Sequence, residues 1–71
     1  MLAEDVFSVN LKSRMKERGI GARKLSEKTG VSLTTVYEAR RGRTAPNVIT
    51  AWKLARGLGA TVEDLLKGAT E

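Results

Sequence analysis

The sequence predicts a small all-α fold of five helices, and three observations predict it. Apolar residues recur at helical spacing along most of the chain, single glycines interrupt that spacing, and no stretch alternates apolar and polar residues as a strand does. A chain of 71 residues is enough for one domain and one core. A single domain over 1–71 is expected, with its core at about 5–67 and a frayed C-terminal tail.

The first helix is read over 5–18, where Phe7, Leu11 and Met15 recur at i, i+4 and i+8 while Lys12, Lys16 and Glu17 fall off that stripe. Gly19 stops it, and Ile20 is placed to plug the space between two helices. The second helix, 22–29, turns Leu25 and the small Ser26 inward and ends at Gly30. Ser32 then caps a third helix, 33–41, with Val36 and Ala39 facing in and Gly42 closing it. After the loop Arg43-Thr44-Ala45, Pro46-Asn47 offers a turn and a cap for a fourth helix over 48–58, whose stripe is Val48, Ala51, Leu54, Ala55 and Leu58. Trp52 lies one position off that stripe. This place predicts core packing, and an indole on a stripe margin can also anchor a contact between copies, with Val62 and Leu66 as neighbours. Gly59 ends the fourth helix, Thr61 caps a fifth with Glu63 and Asp64 in its first turn, and Leu65 and Leu66 close the core.

The composition excludes much chemistry. With no Cys and no His, thiolate and imidazole are unavailable to catalysis or to a metal, the carboxylates are scattered, and the seven glycines fall at helix ends rather than in a phosphate loop. No enzyme, metal or cofactor is expected. No apolar run approaches membrane-spanning length and no signal-peptide pattern stands at the start, so the expectation is a soluble cytoplasmic protein without membrane contact. No separate sensing domain is expected at this length.

The charge points to a polyanion. The net charge is +5, and residues 12–43 hold ten cations against three carboxylates, which leaves +7 on that stretch. The same stretch carries Leu25-Ser26, Gly30-Val31, Val36 and Ala39. Two helices crossing over a short turn need a small residue at their closest approach, a glycine in the turn and apolar residues in the inner angle, and these positions supply all three. The outer face of the second of the two helices is then free to enter a DNA major groove.

With Ala22-Arg23-Lys24-Leu25-Ser26-Glu27-Lys28-Thr29-Gly30-Val31-Ser32 as first motif helix and turn, and Leu33 to Gly42 as recognition helix and stop, the chain resembles the Cro/CI-type, lambda-repressor-like helix-turn-helix family. Pro46 with Leu54-Ala55, and Leu58 to Leu66, look like that family's last two helices. The resemblance implies a compact five-helix domain that binds double-stranded DNA as a homodimer on a palindromic operator and represses transcription. It implies base contacts from Leu33, Thr34, Tyr37 and Glu38. Phosphate contacts would come from Arg23, Arg40, Arg41, Arg43, Thr44 and Asn47, with backbone N–H groups near Ala22 adding to them. Two positions depart from the pattern. Ala22 stands where the family usually has Gln, so Arg23 is read as its substitute. Met15 and Arg40 stand where many members pair Arg with Glu, so Met15 is expected to pack on the stem of Arg40 and leave its guanidinium for phosphate. A different class stays open beside this one: a helical interaction module, such as an antitoxin, whose main partner is a protein.

Overall fold

In the computed structural model, which describes residues 2–43 and 45–69, five helices follow one another: α1 (Ala3–Arg18), α2 (Ala22–Thr29), α3 (Leu33–Arg41), α4 (Val48–Gly57) and α5 (Val62–Leu65). No strand occurs among the described residues. Each helix buries at least one branched aliphatic side chain completely: Leu11 from α1, Leu25 from α2, Val36 from α3, Leu54 from α4 and Leu65 from α5, with Leu58 just beyond α4. Burial of such a side chain is worth roughly 1.5–3 kcal/mol, so the centre of the fold is stabilised jointly by all five elements. Phe7, Met15, Ala22, Val31, Ala39, Ala51 and Ala55 complete the core, and Ile20 packs against it as its place in the sequence anticipates.

The helix limits follow from local hydrogen bonds. Ser32 Oγ accepts from Thr35 N–H at 3.2 Å, and Asn47 Oδ1 accepts from Thr50 N–H at 2.8 Å, fixing the starts of α3 and α4 where the sequence places them. Thr61 and Asp64 form a reciprocal capping box at α5: Thr61 Oγ1 accepts from Asp64 N–H, and Asp64 Oδ2 accepts from Thr61 N–H, both at 3.1 Å. At the start of the chain, α1 begins at Ala3 rather than at residue 5. The Leu2 carbonyl accepts from the N–H groups of both Asp5 and Val6, and Glu4 and Asp5 then favour the positive end of the helix dipole.

Two expectations about α4 are corrected. Trp52 is not in the core: its residue is 51% exposed, on the outer side of α4 with Ile49, Lys53 and Arg56. Val48, read as part of the buried stripe, is 72% exposed at the first position of α4. The helix makes its close approach to α2 further along, at Gly57, which is buried where an added Cβ would collide with Thr29 and Leu25. Gly57 is therefore a packing residue rather than a stop. Residues 70–71 of the expected tail lie outside the described residues, while Ala69 N–H still donates to the Leu66 carbonyl at 3.0 Å. No helix among the described residues is long and apolar enough to cross a membrane, and none of their His, Cys, Asp or Glu side chains form a group able to hold a metal ion.

Candidate nucleic-acid interface

The turn between α2 and α3 is fixed by two hydroxyls. Ser26 Oγ donates to the Val31 carbonyl at 2.6 Å, so the residue read as merely small also ties α2 to the start of the next element. Thr29 Oγ1 donates to the Leu25 carbonyl at 2.7 Å and accepts from Val31 N–H at 3.2 Å. Between them Gly30 takes φ +78°, a left-handed conformation that a residue with a Cβ adopts at a cost. Leu25, Val31, Val36 and Ala39 are buried in the inner angle, as the spacing requires.

Burial of Val36 and Ala39 sets the orientation of α3. Thr34, Tyr37 and Arg41 are exposed on its opposite side, a stripe at i, i+3 and i+7, with Glu38 half-buried beside them. Leu33 and Arg40 flank that stripe. Both are half-buried, and Leu33 packs against the core, so it presents an edge rather than a whole side chain. The Arg40 and Arg41 guanidinium groups lie 5.3 and 5.8 Å from the Tyr37 ring centroid, at i+3 and i+4 along one helix face. Tyr37 thus collects two cations that the sequence offered only as separate phosphate ligands.

At the far end of α3, Ser8 Oγ donates to the Arg40 carbonyl at 3.2 Å, and Gly42, with φ +74°, leaves room for that side chain. Ser8 is buried on α1. This bond is how α1 holds the end of α3; the Arg40 guanidinium lies over Tyr37 and Met15 is buried in the core. Ser8 was discoverable, since it stands at i−3 from Leu11 and i−7 from Met15 and so shares their face. Asn10 was not flagged by any apolar spacing, yet its Nδ2 donates to the Leu65 and Lys67 carbonyls at 2.9 and 3.1 Å, docking α5 on α1.

No carboxylate neutralises the cationic side chains around α3 among the described residues. Among the described residues the one carboxylate–cation pair within 4.0 Å is Lys67–Asp64, so Arg23, Arg40, Arg41 and Arg43 have no such partner. Arg23 lies exposed in the first turn of α2, whose start has no side-chain cap, and Ala22 beside it is buried. Asn47 has its Oδ1 engaged by Thr50 N–H, which leaves its amide NH2 as a donor. Thr44 lies outside the described residues. Of the three residues expected between copies, Val62 and Leu66 line one apolar groove of about 370 Å³ with Phe7, Pro46, Val48 and Ala51, whereas Trp52 lines a different cleft.

A family model described as Helix-turn-helix (HTH_3) matches residues 11–65. The chain belongs to that family, the Cro/CI-type group that its motifs resemble. It is 39% identical over 52 residues to the HTH-type transcriptional regulator SutR of Escherichia coli (strain K12), a match that covers 73% of this chain and 29% of that one. It is 34% identical over 56 residues to an uncharacterized HTH-type transcriptional regulator of Methanothermobacter thermautotrophicus, covering 78% of this chain and 81% of the relative. The fold of an HTH_3 family transcriptional regulator from Vibrio cholerae superposes with a TM-score of 0.82 at 30% identity, over 89% of this chain and 35% of that one. That of the clp gene regulator ClgR from Corynebacterium glutamicum superposes at 0.84 and 29%, over 93% and 70%. The chain therefore spans about three-tenths of the Escherichia coli relative. Three of these four relatives are named as transcriptional regulators and the fourth as a gene regulator.

Proposed function

We propose that this helix-turn-helix chain binds double-stranded DNA sequence-specifically and regulates transcription, with α3 entering the major groove and occupancy of a palindromic operator by two copies producing repression. The observation that carries the reading is the outward stripe Thr34, Tyr37 and Arg41 on a helix whose opposite side is locked into the core, flanked by arginines that no carboxylate neutralises among the described residues. Thr34 suits a base hydrogen bond or a thymine methyl, Glu38 suits the cytosine amino group, Leu33 offers its exposed edge to a methyl, and Tyr37 approaches the base edges with its hydroxyl. Arg23, Arg40, Arg41, Arg43, Thr44 and Asn47 suit phosphates on either side, and the uncapped N–H groups at the start of α2 suit one more. The names of the relatives support regulation of transcription as the outcome.

Gel shifts of a random duplex at two salt concentrations test the electrostatic part. About six phosphate contacts imply a loss on the order of a thousandfold in affinity between 50 and 200 mM salt. Arg41→Ala and Arg43→Ala are each expected to flatten the salt slope by about one. Salt-insensitive binding, or slopes unchanged by both substitutions, counts against the reading.

A further inference from the structure

Besides the α3 face, the molecule carries a second concentration of cations around its one indole. Lys28 and Thr29 at the end of α2 face Trp52, Lys53, Arg56 and Gly57 on α4 across an open cleft of about 330 Å³. The Arg56 guanidinium lies 4.9 Å from the Trp52 ring centroid, one helical turn along. The closeness of the two helices makes the floor, because Gly57 has no Cβ to hold Thr29 away. No carboxylate lines the cleft, and none lies within 4.0 Å of Lys28, Lys53 or Arg56 among the described residues.

We propose that this cleft docks an acidic segment of a protein partner, with an apolar side chain of that segment on the Trp52 ring and its carboxylates on Lys28, Lys53 and Arg56. Charge complementarity selects the partner. A second copy of this chain, paired two-fold through the same face, would set these three cations against their own equivalents. An exposed indole flanked by exposed cations encloses too little of a small molecule to hold it tightly, whereas Trp and Arg are the residue types that dominate protein interfaces. The cleft also lies away from the proposed duplex contacts along both of its helices: Lys28 is five residues beyond Arg23 and Arg56 nine beyond Asn47, about 7 and 13 Å at 1.5 Å per residue. The docking surface stands independently of the DNA reading.

Trp52 is the single tryptophan, so its fluorescence reports on the cleft. The probes are a short synthetic peptide of Asp and Glu punctuated by Leu, its twin with Asn and Gln in their place, and a single-stranded oligothymidine. The acidic peptide is expected to give a saturable change in Trp52 emission. Lys53→Glu combined with Arg56→Glu should weaken it on the order of tenfold or more, since both side chains are exposed and their reversal leaves the core intact. The milder Lys53→Gln with Arg56→Gln should weaken it in the same direction, and circular dichroism checks that the helices persist. Duplex binding by the same variants separates failure of this proposal from failure of the DNA reading. Equal binding of the amide twin, affinity unchanged in the charge variants, tighter capture of the oligothymidine with the same spectral change, or no saturation with any probe overturns the proposal.

Discussion

Single side chains in this fold act through atoms that a hydrophobicity pattern does not register. Thr29 is the clearest case. Its hydroxyl is committed to the Leu25 carbonyl and to Val31 N–H, which fixes the rotamer and aims Cγ2 at Gly57 on the neighbouring helix. Gly57→Ala would bring helix propensity worth up to about 1 kcal/mol, but the new methyl meets a neighbour that cannot turn away, and overpacking costs roughly 1–3 kcal/mol. A net fall in the urea midpoint is expected, with part of it recovered when Thr29→Ser removes the opposing methyl in the same chain. A midpoint that rises in Gly57→Ala would show that the helices separate freely. The same kind of blindness accounts for Trp52. Its position beside the stripe of α4 suggested burial because indole is large and apolar, but which side of a helix is covered depends on where the neighbouring helix crosses, and that crossing is set by a glycine five residues later. In the candidate site, by contrast, Thr34 and Tyr37 face outward as read, because the inner residues Val36 and Ala39 fix the outer ones, whereas Leu33 and Glu38, read as outward with them, are half-buried, and Arg41, read only as a phosphate ligand, completes the exposed stripe.

Elements were most legible where a cap and a stop are both written locally. The limits of α2 and α3 coincide with those read from the sequence, since Gly30, Ser32 and Gly42 each act within a turn of their own position. The start of α1 was less legible because a backbone carbonyl, that of Leu2, receives its first N–H groups and no side chain announces it. The four-residue α5 is too short to persist on nucleation and propagation alone, so its cap and its docking through Asn10 carry weight. The hydrogen bond from Thr61 N–H holds the Asp64 carboxyl below the ordinary carboxylate range, helped by the Thr61 hydroxyl and, more weakly, by the charges of Lys67 and Arg14, against a small opposing effect of desolvation. As acid is added, the unfolded chain protonates at this position before the folded one does. The contribution is therefore complete above the unfolded carboxyl pKa and lost as pH falls below about 4 and through the lowered folded value. Melting temperatures followed by circular dichroism should decline more steeply with acid in the native sequence than in Asp64→Asn. Parallel curves would mean that the cap is open in solution.

At the scale of the whole molecule, dimensions limit what one copy can read. The longest extent is 32 Å, and α3 with nine residues is only about 13 Å long, so in the proposed reading one chain offers one helix to one stretch of major groove. Successive major-groove faces on the same side of B-DNA repeat at roughly 34 Å, and a two-fold pair of chains is the economical way to occupy two of them. The apolar groove lined by Phe7, Pro46, Val48, Val62 and Leu66 suits that pairing better than the cleft at Trp52, because two copies facing through it bring together one like charge, Glu4, rather than the three cations of the cleft. Val48 is the side chain to test, being exposed and outside the core. Sedimentation equilibrium of the native chain is expected to show a monomer–dimer equilibrium, and Val48→Lys should shift it toward monomer while the circular dichroism spectrum is unchanged. On a duplex with two half-sites one turn apart, the variant should lose cooperativity yet keep its affinity for a single half-site, because α3 and its arginines are untouched. If Val48→Lys leaves the association constant as it was, the groove is not where copies meet; if it lowers single-site affinity equally, the groove and the DNA face are coupled and the two-half-site reading fails.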